Sequence, residues 1–113
     1  MSKASSAIAS LNDAFRKCPF DRSIGKTYMT SGVSALGRLF VARALSAVSA
    51  FDTFSTDNDP YGEHDFGSFE LDGEKLFWKL DYYSKDDPTF GSEDPSDPLK
   101  TTRVLTIMLA EEY

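Results

Sequence analysis

The sequence predicts an α+β fold, in which a small antiparallel sheet made of a β-hairpin and a short strand packs against three helices in the order α-β-α-β-β-α. Three observations predict it: a helical repeat near the N-terminus, an Asp-Gly turn between two alternating segments, and a proline-rich interruption before an apolar C-terminal segment. A chain of 113 residues has room for one hydrophobic core, so residues 1–113 are expected to form a single domain.

The first helix is expected from about Ser2 to Lys17. Its apolar residues recur at spacings of four, three and four, and they are Ala4, Ile8, Leu11 and Phe15. That spacing places them on one face of a helix, and Pro19 ends it because proline lacks the backbone N–H that the next hydrogen bond requires. A brief strand is expected from Ile24 to Met29.

A second helix is predicted from Thr30 or Ser31, either of which can cap its first turn, to about Ala50. Two glycines weaken its beginning. Arg38 and Arg43 lie off its apolar face and are expected to be exposed. The apolar face consists of Leu36, Phe40, Ala44, Ala47 or Val48, and Phe51.

Asp72-Gly73 indicates a two-residue type I′ hairpin turn, because both positions of that turn need positive φ. The turn sets a register in which paired residue numbers sum to 145, so Gly67 lies opposite Trp78 and leaves room for the indole. Glu70 then meets Lys75 as a charge pair on the opposite face. The apolar face of the hairpin is Gly67, Phe69, Leu71, Leu76, Trp78, Leu80 and Tyr82.

Residues 84–97 form an acidic segment in which prolines and Gly91 prevent regular structure. Asp97 is a suitable N-cap residue and Pro98 suits the first helical position, so a final helix is predicted from Pro98 to about Glu112. Its buried residues would be Val104, Leu105, Met108 and Leu109.

The composition is that of a globular protein, with 41% hydrophobic and 27% charged residues. No stretch approaches the roughly 20 apolar residues that a membrane span needs, and the N-terminus is typical of a helix rather than a signal peptide. Cys18 is the only cysteine, so no intrachain disulfide can form and the cytoplasm is the expected location.

Charge is divided unevenly along the chain. Residues 1–51 carry a net charge of +5 and residues 52–113 a net charge of −11, which together give −6. This division indicates an acidic face that meets a basic partner or a basic face that meets phosphate, unless the two halves pack together and neutralise one another. We expect the first, a protein partner with a basic surface. Direct nucleic-acid binding is disfavoured because such binding depends on neutralising phosphates with cations.

The densest polar cluster, residues 58–67, contains the only histidine, His64, between Glu63 and Asp65. In the hairpin register His64 lies opposite Asp81, and a carboxylate beside an imidazole raises its basicity, as in a general base. His64, Asp81 and Glu63 are therefore the candidate catalytic residues. The alternative is a surface His–Asp pair that only stabilises the end of the hairpin.

Neither a metal nor a cofactor is expected. Asp57, Asp59 and Gly62 match positions one, three and six of a calcium loop, but position twelve is Ser68 instead of the glutamate that closes such a site. One histidine and one cysteine are too few for zinc. The simpler interpretation is turn chemistry, in which Asn and Asp side chains bond backbone amides.

Phe66 and Phe77 lie on the outer face of the predicted hairpin, where they form a patch suited to protein contact unless another element covers them. The carboxylate-rich half of the chain is expected to contact the basic surface of the partner. The candidate interaction residues are Asp59, Glu63, Asp65, Phe66, Phe77, Asp86, Asp87, Glu93 and Asp94.

Three segments, residues 58–67, 77–83 and 103–113, resemble a family of small bacterial proteins of unknown function with the signature Asn-Asp-Pro-x-Gly-Glu-His-Asp-Phe-Gly. Residues 11–13 and 30–33 are also similar to that family. The resemblance implies a protein carried by plasmids and phages, and it implies no established activity.

The favoured hypothesis is a small acidic interaction protein without enzymatic activity, in particular a mobile-element inhibitor of host defence (anti-CRISPR or anti-restriction) that binds a basic surface of its target. The alternative is a small hydrolase or metal-dependent enzyme that uses residues 63–65 with Asp81. The identity of the partner and the oligomeric state stay open.

Overall fold

The computed structural model describes residues 3–113, and within them the fold is α+β, with three α-helices and a four-stranded sheet. Ser2, where the predicted first helix begins, lies outside the described residues. In chain order the elements are α1 (Lys3–Lys17), β1 (Gly25–Met29), α2 (Ser31–Ser34), α3 (Arg38–Ala50), β2 (Phe66–Leu71), β3 (Glu74–Ser84), β4 (Thr101–Leu109) and a 3-10 helix (Ala110–Glu112).

The sheet is mixed, with the strand order β1-β4-β3-β2. β3 pairs antiparallel with both β2 and β4, whereas β1 and β4 run parallel. The expected small antiparallel sheet is therefore wrong in its number of strands and in the direction of one pair. Gly25 permits the parallel pair, because a Cβ at that position would lie 2.0 Å from the backbone oxygen of Arg103.

The hairpin has the predicted turn and register. Asp72 and Gly73 have φ angles of 52° and 82°, as a type I′ turn requires. Gly67 pairs with Trp78 and Glu70 with Lys75. The indole is fully buried, and the glycine opposite it provides the space.

The C-terminal segment is a strand, so the helix predicted from Pro98 to Glu112 is wrong. Residues 101–107 alternate between buried and half-buried positions, which is the period of a strand. β4 is hydrogen-bonded to β1 on one side and to β3 on the other, and its β-branched residues pack well on such a sheet. Asp97 accepts a hydrogen bond from the backbone N–H of Leu99 in a turn instead of capping a helix.

The predicted second helix is divided into α2 and α3. The division lies at Gly37, whose φ of 98° no helix accommodates. Phe40, Ala44 and Val48 are buried as predicted, but Leu36 lies before the break and is 43% exposed. Strand β1 confirms the short strand predicted before this region.

The helices cover one face of the sheet and form a single core with it. Phe15 of α1 and Phe40 of α3 pack in the same cluster as Trp78 of β3 and Ile107 of β4. On the opposite face the rings of Phe66 and Phe77 contact each other and the ring of Tyr113, with centroids 5.2 to 5.9 Å apart. Tyr113 is itself 76% exposed, so it covers this patch only in part.

We expect Gly67→Ala to lower the free energy of unfolding by about 1–3 kcal/mol. The added Cβ would lie 2.3 Å from Trp78 Nε1 and 2.9 Å from the Phe51 ring, and both rings are held by the core. Ser68→Ala, at the exposed neighbouring position, is the control and should change stability by less than about 0.5 kcal/mol. Urea denaturation measures both, and equal losses would contradict the packing argument.

Candidate functional site

The predicted pair of His64 and Asp81 is wrong. β2 begins at Phe66, so His64 precedes the ladder, and its φ of 56° turns the chain before the strand starts. Asp81 instead lies 3.0 Å from the ammonium group of Lys79 and pairs along the sheet with Val104. The hairpin register was correct, but it does not extend to residue 64.

The partner of His64 is Asp13, which lies on α1. His64 Nδ1 is 2.9 Å from Asp13 Oδ1 and 3.1 Å from Oδ2, and the imidazole stacks on the ring of Phe54 with centroids 3.9 Å apart and planes at 1°. Residues 13 and 64 are 51 positions apart, so no local pattern connects them.

Asp59 constrains the other side of the same histidine. Its side chain is 4% exposed; Oδ1 accepts a hydrogen bond from the backbone N–H of His64, and Oδ2 lies 3.7 Å from His64 Nε2. Asn58 accepts from the Ser55 N–H and donates to the Thr53 carbonyl, and Gly62 adopts a φ of 67°. This is the turn chemistry that the sequence predicted.

Arg16 joins this loop to the core. Its side chain is 2% exposed, and it donates to Asp13 and to the backbone carbonyls of Val48 and Phe51 at the end of α3. Its guanidinium carbon lies 4.7 Å from the centroid of the Trp78 ring, a cation–π contact. Carbonyls at a helix C-terminus and a carboxylate together compensate the buried positive charge.

A second buried network centres on Asn12. Its amide donates to the Glu63 carbonyl and to the Tyr82 hydroxyl at 2.9 and 2.8 Å, and its oxygen accepts from Arg103 Nε at 2.7 Å. Burial raises the pKa of Tyr82, so the hydroxyl keeps its proton and donates to the Glu63 carboxylate. Burial also lowers the pKa of Arg103, which donates in addition to the carbonyl of Pro95.

The candidate catalytic residues His64 and Glu63 both have hydrogen-bond partners in these networks. His64 lines a cleft of about 290 Å³ together with Asp13, Arg16 and Phe54. One imidazole nitrogen is hydrogen-bonded to Asp13, the other faces Asp59, and Glu63 is bonded to Tyr82. Within residues 3–113 no group of three or more His, Cys, Asp or Glu side chains is arranged to hold a metal ion.

The predicted interaction residues divide between three places. In the loop between α3 and β2, Asp59 is buried, and Glu63 and Asp65 are half-buried. Asp86, Asp87 and Glu93 are exposed, and Asp94 is half-buried beside them in the segment between β3 and β4. Phe66 and Phe77 form the patch with Tyr113 on the outer face of the sheet.

In the structure Ser84 ends β3 and Thr101 begins β4, so the name acidic segment is used from here on for the whole connection, residues 85–100. It contains no helix or strand of its own, but hydrogen bonds attach it to the sheet. Its backbone forms two hydrogen bonds with β3: the Ser84 N–H donates to the Phe90 carbonyl, and the Ser92 N–H donates to the Tyr82 carbonyl. Thr101 of β4 donates to the carbonyl of Asp94. These bonds attach the segment to the end of β3 and the start of β4.

Asn12→Ala should lower the free energy of unfolding by about 2–4 kcal/mol, because Arg103, Tyr82 and the Glu63 carbonyl would lose a partner in a buried place. Ser10→Ala, on the exposed side of the same helix, serves as the control and should cost less than about 0.5 kcal/mol. Chemical denaturation at neutral pH decides the matter. A loss for Asn12→Ala as small as the control's would show that solvent replaces the network.

Asp65→Asn should stabilise the protein near neutral pH but not in acid. Burial raises the pKa of Asp65, and the carboxylates of Glu63, Asp59 and Asp81 raise it further. A carboxyl group whose pKa is higher in the folded state stabilises that state only while protonated, and this contribution is lost as the pH rises through the folded pKa. The gain at about pH 7 should be below about 1 kcal/mol.

Below the ordinary aspartate pKa of 3.8 the gain from Asp65→Asn should disappear, because both side chains are then neutral. Thermal unfolding at the two pH values measures the difference, with the exposed Asp57→Asn as the control for removing one negative charge. A gain that is independent of pH, or one that Asp57→Asn reproduces, would contradict the assignment.

Within residues 3–113 every helix is too short or too polar to traverse a lipid bilayer. No curated protein and no solved structure matches the chain. A family model described as "Protein of unknown function (DUF3768)" matches residues 29–112, a range that includes residues 58–67 and all four acidic-segment candidates. The chain therefore belongs to the DUF3768 family, whose function is unknown.

Proposed function

We propose that the protein is a small acidic binding protein without enzymatic activity, and that its acidic segment contacts a basic surface of a protein partner. The observation that carries the proposal is the combination of exposure and order in that segment. Asp86, Asp87 and Glu93 are exposed, yet the backbone of their segment is hydrogen-bonded to β3 and, at the Asp94 carbonyl, to the hydroxyl of Thr101 in β4. A segment that is already ordered loses little conformational entropy on binding.

The charges of this segment are held in place by short turns. Asp87 accepts from Thr89 and Asp94 accepts from Ser96, and these hydrogen bonds lower the pKa of both carboxyl groups. A lowered pKa keeps a carboxylate charged through the physiological pH range. The segment therefore offers a basic partner a fixed arrangement of negative charges, which favours rapid association and specificity.

Apolar groups accompany these charges. Phe90 is 65% exposed and Leu99 is 82% exposed, and both lie within the acidic segment. Exposed aromatic and aliphatic side chains surrounded by charge are typical of protein-binding surfaces, where the apolar group fills a pocket and the charges orient it. This composition supports a protein partner more than a small ion.

The specific form of this proposal is an inhibitor of host defence, directed at a CRISPR or restriction enzyme. Such enzymes present basic surfaces to nucleic acid, and a protein with a net charge of −6 and ordered carboxylates can occupy such a surface in place of phosphates. The resemblance to proteins carried by plasmids and phages supports this form.

A triple variant tests the segment: Asp86→Asn, Asp87→Asn and Glu93→Gln. The immobilised wild-type protein should retain a host protein at low salt and release it at high salt, and the variant should bind it at least about tenfold more weakly. The matched control removes the same charge at exposed positions elsewhere, through Asp52→Asn, Asp57→Asn and Glu111→Gln, and should retain the partner.

For the inhibitor form, expression in a host with an active CRISPR or restriction system should raise the plating efficiency of a targeted phage, and the segment variant should lose this effect. If no host protein is retained at low salt, or if the two triple variants weaken retention equally, the acidic segment is not the binding surface. Retention without any effect on plating would remove only the inhibitor form.

A further inference from the structure

A second surface, separate from the acidic segment, lies along the outer edge of β1. A groove of about 640 Å³ runs between this strand and the turn that follows α1. It is lined by Phe20 and Arg22 of the turn and by Lys26, Thr27 and Tyr28 of the strand. Phe20 is 67% exposed and Tyr28 is 53% exposed, so two aromatic rings lie open to solvent at this edge.

β1 is an edge strand, and one side of its backbone is unpaired. Arg103 N–H donates to the carbonyl of Ile24, and Thr30 N–H donates to the carbonyl of Ile107, so the even-numbered residues of this stretch face β4. Because backbone groups alternate along a strand, the amides and carbonyls of Thr27 and Met29 face away from the sheet. No hydrogen bond within residues 3–113 uses these groups.

The groove is positively charged, although the chain as a whole is negative. Arg22 and Lys26 are the charged residues that line it, and both are exposed. The nearest carboxylate in the turn, Asp21, accepts hydrogen bonds from the backbone N–H and the hydroxyl of Ser23. In a protein with a net charge of −6, a groove with cationic walls is a local reversal of charge.

We propose that this groove binds an extended acidic segment of a partner protein, which adds to the sheet as a further strand beside β1. The free amides and carbonyls of Thr27 and Met29 supply the backbone hydrogen bonds of such an addition. Lys26 and Tyr28 project from the same face of β1. The segment therefore carries a carboxylate opposite Lys26 and an apolar side chain two residues away, opposite Tyr28.

Charge disfavours the other obvious strand, β1 of a second copy, because each copy adds its own Arg22 and Lys26 to the shared edge. Pairing two β1 strands would bring their Lys26 and Arg22 side chains to the same edge, and like charges opposed across strands are destabilising. Nucleic acid could use the cations and the aromatic rings, but it has no groups that pair with a strand edge, and a net charge of −6 opposes its approach.

Fluorescence anisotropy with a short labelled peptide of the repeat Glu-Thr-Val-Thr tests the proposal, because glutamate and valine then lie two residues apart on the same face of the added strand. The wild-type protein should bind it, and Lys26→Glu should weaken binding at least roughly tenfold while Lys26→Gln weakens it less. A peptide in which lysine replaces glutamate should not bind. A peptide with proline at alternate positions, which removes backbone donors, should also not bind.

A matched pair of variants isolates the strand edge. Thr27→Pro removes the outward N–H, which an edge strand tolerates, and should abolish binding. Thr27→Val keeps the N–H but loses the same hydroxyl bond to the Pro19 carbonyl, 2.6 Å in length, and should bind as the wild type does. Circular dichroism checks that each variant folds. If Thr27→Pro does not fold, the Lys26 variants and the proline-containing peptide still test whether the strand edge is used.

Three results would overturn the proposal. The first is the absence of peptide binding by the wild-type protein. The second is equal binding by Thr27→Pro and Thr27→Val, or equal binding of the proline-containing peptide, either of which would show that the strand edge is not used. The third is tighter binding of single-stranded oligothymidine that survives Thr27→Pro, which would make the groove a nucleic-acid site.

Discussion

The rest of the structure depends on the contacts that the buried guanidinium of Arg16 makes with both long helices and the sheet. It contacts α1 through Asp13, the end of α3 through two carbonyls, and the sheet through the ring of Trp78. A charge that is removed from water costs several kcal/mol unless every contact is in place. The helices therefore cannot shift on the sheet without leaving that charge unpaired, and Gly67 is required because it gives the indole beneath Arg16 its space.

Asp13 extends this constraint to the polar loop. The same carboxylate accepts from Arg16 and from His64, and the imidazole in turn stacks on Phe54. The histidine that the sequence singles out as a catalytic candidate thus connects the loop between α3 and β2 to α1. The positive φ of His64 is stabilised by Asp59, whose carboxylate accepts a hydrogen bond from the His64 backbone N–H. A contact within five residues thus compensates the backbone strain.

The features that the sequence predicted correctly are those determined by residues close together in the chain. The Asp72-Gly73 turn, the helical repeat of α1 and the irregular acidic segment each follow from residues within a few positions of one another. β4 could not be predicted in this way, because its apolar residues fit the period of a helix as well as that of a strand. The segment is a strand because β1 and β3 pair with it on either side. Asp13 was missed for the same reason: its contact with His64 exists only after α1 packs near the loop.

The packing of the chain leaves its two charged halves largely unneutralised. Within residues 3–113 the Arg43–Asp72 contact is the one Lys or Arg ion pair that joins residues 1–51 to residues 52–113, and both side chains are about half exposed. Lys85 connects the turn beside the β1 groove to the acidic segment, through the carbonyls of Ser23 and Pro98. The cationic groove and the anionic segment are therefore neighbours connected by Lys85, and their charges do not neutralise each other. Surface charge of a single sign is enough to keep a protein soluble. Adjacent surfaces of opposite sign disfavour a partner whose charge is uniform, and they favour a partner whose negative and positive surfaces lie next to each other in the complementary arrangement.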